Sequence, residues 1–331
     1  MGITPRQVDS LWYRHHPASL ALLPLSWVFG GVVRLRKSLY AHGWLSSTTL
    51  PVPVIIVGNI TVGGTGKTPL VLTLTERLKQ LGRRPGIITR GYAGRSRAWP
   101  QVVTKTSDPA LVGDEAVLLA SRAAVPVVAA PSRTAAGLML LEQHACDVIV
   151  GDDGLQHLAL ARDVEIIVVD AERGLGNGRL LPAGPLREPA SRLNSGALVL
   201  RSSRGDEYRE GEPGFRLLPS AFVTLGGERR SLGVYRGVEA DAVAGIGYPK
   251  RFFDTLRALG VRVHEHVQPD HYAYADADMV AFGDRPLLMT EKDAVKCARL
   301  RYPAQAAFLE VSAVLNEAAE QAVTRLLEGL A

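Results

Sequence analysis

The chain has 331 residues, 47% of them apolar and 21% charged, which excludes a disordered, collagenous or coiled-coil protein. At about 150 residues per domain the length predicts about two domains. The two cysteines, Cys146 and Cys297, exclude a disulfide framework and a Cys-type zinc site, and a net charge of +5 is too mild to imply nucleic acid.

The positive charge sits at the N-terminus. In residues 1–45, Arg6, Arg14, Arg34, Arg36 and Lys37 face one acid, Asp9, which leaves the other 286 residues with only +1. Ala18–Val33 is a 16-residue run without charge. A spanning helix needs about 20 such residues, and Pro24, Gly30 and Gly31 weaken this one further. Arg34, Arg36 and Lys37 follow at once, with Tyr40 and Trp44 close behind. Apolar bulk with a basic, aromatic flank is what an interfacial helix uses among anionic headgroups. The run ends in Val-Val-Arg-Leu-Arg-Lys rather than in a small-residue cleavage site, which argues against a signal peptide. A buried core helix is the competing reading.

Further along, strands and helices alternate. Val52–Gly58, Pro85–Thr89, Pro126–Ala130, Asp147–Val150, Glu165–Asp170 and Ala197–Leu200 are short apolar runs. Pro69–Leu81 and Asp114–Ala123 are among the helical stretches between them. Continuous apolar strands alternating with helices predict a parallel sheet covered on both faces. Ser202–Gly214 is polar and loop-like, and Phe215–Leu225 and Arg230–Tyr235 flank Gly226-Gly227 as a β-hairpin. Alternation resumes with Ala242–Ile246, a helix near Phe252–Leu259, Val261–His266, a helix near Asp276–Phe282 and Pro286–Thr290. An amphipathic helix, Val314–Leu330, closes the chain.

The loop after the first strand carries the strongest chemical signal. In Gly58-Asn-Ile-Thr-Val-Gly-Gly-Thr-Gly-Lys67-Thr68-Pro, Thr61 stands at the first glycine of the strict P-loop pattern and the rest holds. Gly63, Gly64, Thr65 and Gly66 turn backbone N–H groups toward phosphates. Lys67 reaches the β/γ oxygens, Thr68 offers a hydroxyl to Mg²⁺, and the helix that Pro69 opens adds its dipole. In Asp147-Val-Ile-Val-Gly-Asp152-Asp153-Gly-Leu-Gln156-His157 an apolar strand leads to acids that can hold Mg²⁺. Without the P-loop, Asp-Gly would read equally well as an ordinary turn. The predicted fold is an α/β, P-loop NTPase-like parallel sheet with helices on both faces, over 46–205. A hairpin linker, 206–238, joins it to a smaller α/β domain, 239–310, and the C-terminal helix, 311–331, packs back on the first domain.

Taken in order, GNITVGGTGKTP, TRGYAGR, VGDE, DDGLQH, GNGRLLPAGPLREP, GIGYPKRFF, PDHYAY and TEKDAVK span nearly the whole chain. Together they resemble the tetraacyldisaccharide 4′-kinase, or lipid A 4′-kinase, family. Thr61 belongs to that family's pattern. The resemblance implies an ATP- and Mg²⁺-dependent kinase. Its acceptor is the 4′-hydroxyl of a tetraacylated diglucosamine 1-phosphate, and it works as a peripheral or monotopic protein at the cytoplasmic face of the Gram-negative inner membrane. The partners implied are this lipid and the anionic membrane surface, with no nucleic acid and no obligate protein partner. Lys67 and Thr68 would then bind phosphate and metal, and Asp152 and Asp153 would complete the metal site beside Gln156 and His157. Asp114 resembles the catalytic base, paired with His271. Asn177, Arg187, Glu188 and Arg90 are the candidate substrate contacts. Because Asp114 and His271 fall in different predicted domains, closure of the cleft is expected to assemble the pair. Two rivals remain at this point. One is a P-loop switch ATPase, against which Val62 counts because dimeric switches commonly carry a lysine there. The other is a soluble metabolite kinase, which leaves the apolar N-terminus unexplained.

Overall fold

A computed structural model describes residues 10–14, 16–203, 211–301 and 305–330. Arg6, Asp9 and residues 204–210, with the predicted domain boundary at 205/206, lie outside these. The uncharged N-terminal run forms two helices, α1 (Ala18–Ala21) and α2 (Leu23–Ala41). Pro24 sits in the first turn of α2, where its missing N–H costs nothing. Among the described residues no helix is long and apolar enough to cross a membrane.

In chain order there follow β1 (Val54–Gly58), α3 (Lys67–Gln80), β2 (Pro85–Thr89), β3 (Gln101–Val103), α4 (Pro109–Val112) and α5 (Asp114–Arg122). Next come β4 (Val127–Ala129), α6 (Arg133–Gln143), β5 (Val148–Asp152), β6 (Val164–Asp170) and β7 (Leu198–Ser203). The strands lie in the order β7-β6-β1-β5-β2-β4-β3. All are parallel except β3 against β4. Successive strand residues face opposite sides, and the core follows that alternation. Ile55, Val57, Ile87 and Val150 pack under α3 and α5 against Leu70, Leu74 and Leu119. Val54, Ile56, Ile88 and Ile149 pack on the other face against Ala136 and Leu140 of α6. Each fully buried leucine contributes about 1.5–3 kcal/mol, so both faces of the sheet hold the loops at its edge in place.

The second half comprises β8 (Gly214–Thr224), β9 (Arg229–Arg230), β10 (Glu239–Ala244), α7 (Pro249–Ala258), β11 (Arg262–Val267) and α8 (Asp276–Val280). It ends with β12 (Leu287–Thr290), α9 (Glu291–Cys297), β13 (Ala306–Leu315) and α10 (Glu317–Glu328). Its strands, ordered β11-β10-β12-β13-β8, join β7 through β8, so a single sheet runs through both halves. The expected hairpin is present, with Val223 opposite Arg229 and Phe222 opposite Arg230. Yet β8 spends most of its length antiparallel to β13, a partner about 90 residues further on that no local pattern reveals. Within the segment read as a linker, β8 and β9 belong to the shared sheet.

The last helix also differs from expectation. It begins at Glu317, where Asn316 Oδ1 accepts the N–H of Ala319 at 2.9 Å, so Val314 and Leu315 end a strand instead. The expected boundary at 310/311 cuts that strand, because an alternating buried run borders directly on an amphipathic helix. α10 packs Ala319, Val323 and Leu327 into the core beside α3, and Arg77 on α3 pairs with Glu320 at 2.5 Å.

Candidate active site

β5 lies beside β1 with Asp152 in register with Val57. The Asp152-Asp153 turn and the glycine loop therefore meet at one edge of the sheet, where parallel α/β folds bind ligands. Gly66 has φ +83°, and a Cβ there would lie 2.8 Å from Leu217 Cδ1, so only glycine fits this turn. Lys67 Nζ donates to Asn59 Oδ1 at 3.1 Å and lies 3.6 Å from Asp153 Oδ1. Arg187 Nη1 holds the other oxygen of Asp153 at 3.2 Å.

The two adjacent acids differ in state. Burial pushes Asp153 up, but Lys67 and Arg187 outweigh it and hold the carboxyl below the usual range. Burial together with the charge of Glu115 pushes Asp152 up to about 7, and its Oδ1 has no hydrogen-bond partner. Asp153 adopts a left-handed φ of 49°, and Arg133 stabilises this turn. The Arg133 guanidinium, only 2% exposed, donates to the carbonyls of Asp152 (3.0 Å) and Asp153 (2.9 Å). Burial lowers Arg133 to about 10. His157 Nε2 accepts the backbone N–H of Arg133 at 3.3 Å, which requires a neutral ring, and burial beside Arg133 lowers that ring to about 4.

Across the cavity, Asp114 opens α5 behind Gly113, and His271 lies in the loop after β11 with a left-handed φ of 59°. His271 Nδ1 meets Asp114 Oδ2 at 3.0 Å, so the pair is already assembled here. His271 faces the cavity, and Asp114, 4% exposed, lies behind it. The hydrogen bond to Asp114 raises His271 above the ordinary histidine value. Burial pushes Asp114 up, but His271 and Lys292 outweigh it and leave the carboxyl below its usual range.

A single cavity of about 1230 Å³ takes in Lys67, Thr68, Arg90, Asp152, Asp153 and His271. Its wall on one side is α2, through Phe29, Val32, Val33, Arg36 and Lys37. Gly63, Gly64, Gly66, Pro69, Arg187 and Glu188 also line it, whereas Thr65 does not. Thr65 is buried, and its Oγ1 has no hydrogen-bond partner. Glu188 is almost fully buried and receives Lys37 Nζ at 2.5 Å and Gln156 Nε2 at 2.7 Å. Gln156 Nε2 also donates to the Asn59 carbonyl at 3.2 Å, so a chain of polar contacts links α2 to the P-loop.

Among the candidate substrate contacts, Asn177 is the one that does not line the cavity. Its Nδ2 donates to Ala183 O at 2.8 Å and its Oδ1 accepts the N–H of Arg179 at 3.1 Å. It is a brace within the loop, because a glycine-rich turn needs a side chain to satisfy its backbone. That loop reaches the P-loop through Arg187 N–H to Ile60 O at 2.7 Å, and it reaches α2 through Ser26 Oγ to Leu180 O at 2.6 Å. Asn177→Ala is expected to destabilise the protein by about 1–3 kcal/mol in a denaturant melt. A variant as stable as wild type would remove the brace.

Glu115, Arg251 and Lys292 are among the cavity residues that carried no role in the sequence reading. Each lies inside a quoted motif (VGDE, GIGYPKRFF, TEKDAVK), and that position was the available signal. Arg251 Nη2 joins Asp170 Oδ2 at 2.8 Å, tying α7 to the end of β6.

Phosphoryl transfer to a hydroxyl asks for a phosphate cradle and, opposite it, a group that takes a proton. A P-loop fold with both around one cavity is of the P-loop kinase class. A family model described as tetraacyldisaccharide-1-P 4′-kinase matches residues 18–328, and the chain belongs to that family. It is 49% identical to the tetraacyldisaccharide 4′-kinase of Alkalilimnicola ehrlichii over 93% of this chain and 92% of the relative. It is 45% identical to that of Hahella chejuensis over 98% and 97%. Its structure is similar to a crystal structure of LpxK from Aquifex aeolicus in complex with ATP. The TM-score is 0.82 at 30% identity, over 95% of this chain and 100% of that one.

Proposed function

We propose that this chain transfers the γ-phosphate of ATP to the 4′-hydroxyl of tetraacyldisaccharide 1-phosphate, giving lipid IVA in lipid A biosynthesis. The observation that carries the reading is the single cavity in which the P-loop, the Asp152-Asp153 turn and the Asp114–His271 pair share walls with an apolar helix. Lys67 and the loop N–H groups hold the phosphates in line. Arg90 and Arg187 add positive charge at the rim. The Asp114–His271 pair, with Asp114 as the base the resemblance implies, accepts the hydroxyl proton as the phosphoryl group is transferred. A loose transition state needs alignment and charge neutralisation more than covalent help.

Magnesium fits the residues present. Asp152 carries a buried carboxylate oxygen with no hydrogen-bond partner and lines the same cavity as Thr68. A hard cation takes such oxygens together with substrate phosphates. Thr68, Asp152 and Asp153 would hold it, and when bound it neutralises charge on the transferred group.

A membrane-facing role for α2 is supported by its surface. Trp27 is 70% exposed, and Leu25, Val28, Val32 and Leu35 are exposed with it, next to Arg34, Arg36 and Lys37. We infer that this face lies in the cytoplasmic leaflet of the inner membrane and admits acyl chains to the cavity. Replacing Trp27, Val28 and Leu35 together with serine is expected to lower partitioning onto anionic vesicles more than about tenfold. ATP binding should hold. Unchanged partitioning would remove this role.

The activity is tested with γ-labelled ATP, Mg²⁺ and detergent-dispersed tetraacyldisaccharide 1-phosphate. Label is expected in the lipid at the 4′-position. ATP turnover without labelled lipid would overturn the acceptor.

A further inference from the structure

The turn that follows β6 presents a cation to the phosphate loop. Asp170 ends that strand and is only 2% exposed. Its Oδ1 accepts the N–H groups of Glu172 at 3.0 Å and Arg173 at 3.1 Å, and its carbonyl accepts that of Gly174 at 2.8 Å. Its Oδ2 holds Arg251 of α7. One buried carboxylate therefore fixes the turn and ties it to the second half of the molecule.

From this turn Arg173 reaches the P-loop. Its Nη1 lies 3.7 Å from the position that a Cβ on Gly63 would take. Its guanidinium carbon is 4.0 Å from the ring centre of Tyr13, in the segment ahead of α1. It is 5.5 Å from the ring centre of Tyr248, which precedes α7 and lines the cavity. Rings from both ends of the molecule thus orient one guanidinium. Stacking engages its faces, and its N–H donors lie in its plane, as a fork that matches phosphate oxygens.

Gly63 and Gly64 line the cavity, and their backbone belongs to the phosphate cradle. As a phosphoryl group transfers, its charge spreads over three oxygens, and an arginine brought to them stabilises that state. Lys67 and Arg187 share Asp153, and Arg133 is bound to two carbonyls. Arg173 approaches the loop from another side, over a residue with no side chain to block it. We propose that Arg173 is a catalytic arginine supplied from within the chain, whose fork passes over Gly63 onto the γ-phosphoryl oxygens in the transition state. The bond from the γ-phosphorus to the ADP oxygen breaks as the bond to the acceptor oxygen forms, and Arg173 gives up no proton. This rests on the reading of the chain as a kinase.

The test uses the full chain with ATP, Mg²⁺ and the dispersed lipid acceptor, and the variants Arg173→Ala and Arg173→Gln. In Arg173→Ala kcat is expected to fall about 10³-fold, the lower end of what such an arginine supplies. KM for ATP should stay within about twofold, since the contact is made in the transition state. Millimolar guanidinium should restore kcat of the alanine variant by more than about tenfold and leave wild type unchanged, as expected for a lost charge-assisted donor. A brace between Tyr13 and Tyr248 would not be replaced by a free ion. A kcat near wild type, or a loss that guanidinium does not relieve, overturns the proposal. A change confined to KM for the lipid places the fork on the 1-phosphate and overturns it as well. If the alanine variant does not fold, Arg173→Gln, which keeps a planar amide against the rings, is read by kcat and KM in the same way. Slow release of phosphate from ATP to water, measured without lipid, separates the two readings. If wild type labels no lipid, the acceptor is wrong, and the dependence of that release on Arg173 still decides the role of the arginine.

Discussion

Lys67→Ala is expected to lower kcat by about 10³-fold, the effect of removing one preorganised donor from a developing anion. Arg187 is engaged with Asp153, and Arg133 is spent on the carbonyls of the same turn. Only Lys67 stands in the loop itself, between Asn59 and Asp153. The fold should survive, because Lys67 opens α3 on the cavity side while Leu70, Leu74 and Leu78 anchor the helix in the core. Labelled-phosphate transfer and a thermal melt on the same preparation read both points. A loss of less than about tenfold, with the melt unchanged, would mean that the phosphates are held chiefly by backbone N–H groups.

His271→Ala and Asp114→Ala are each expected to lower kcat by about 10²–10⁴-fold, the usual worth of a positioned proton acceptor. ATP affinity should be nearly unchanged, since neither side chain touches the P-loop. The double variant should be little worse than either single one, because the two groups act as a unit. The pair also fixes the pH dependence. His271 must be neutral to accept a proton, and Asp114 raises it above the ordinary histidine value. The acid limb of kcat is therefore expected above about pH 6.5, and it should vanish in His271→Ala. Stability runs the other way. A histidine raised by a partner contributes stability fully present below the unfolded value, and that stability is lost as pH rises through the folded value. Wild type should lose its melting advantage over His271→Ala on going from pH 6 to pH 9. Near-wild-type kcat in both single variants would sink the proton-acceptor role.

The P-loop, the Asp152-Asp153 strand end and six of the first seven strands, all but the short antiparallel β3, were legible along the chain, because each is written in consecutive residues. Backbone turns need glycine at fixed offsets, and buried parallel strands need unbroken apolar runs. The pairing of β8 with β13 was not legible. Strand pairing is a choice among distant segments, made by burial rather than by local pattern. Asn177 shows the same limit in a single residue. As a polar group in a loop it matches a substrate contact, but its amide bonds were taken by the loop's own backbone.

The local chemistry of this protein, its phosphate cradle and its apolar, basic N-terminus, is determined by the sequence alone. Turn geometry and side-chain type depend only on neighbours along the chain. The tertiary structure decided which groups meet. Asp114 and His271 are 157 residues apart, and they meet at 3.0 Å because α5 and the loop after β11 border one cavity. Lys292 reaches the far side of the same ring only because α9 packs against α5. A carboxylate, an imidazole and an ammonium acquire their protonation states from one another and from burial, and both come from packing.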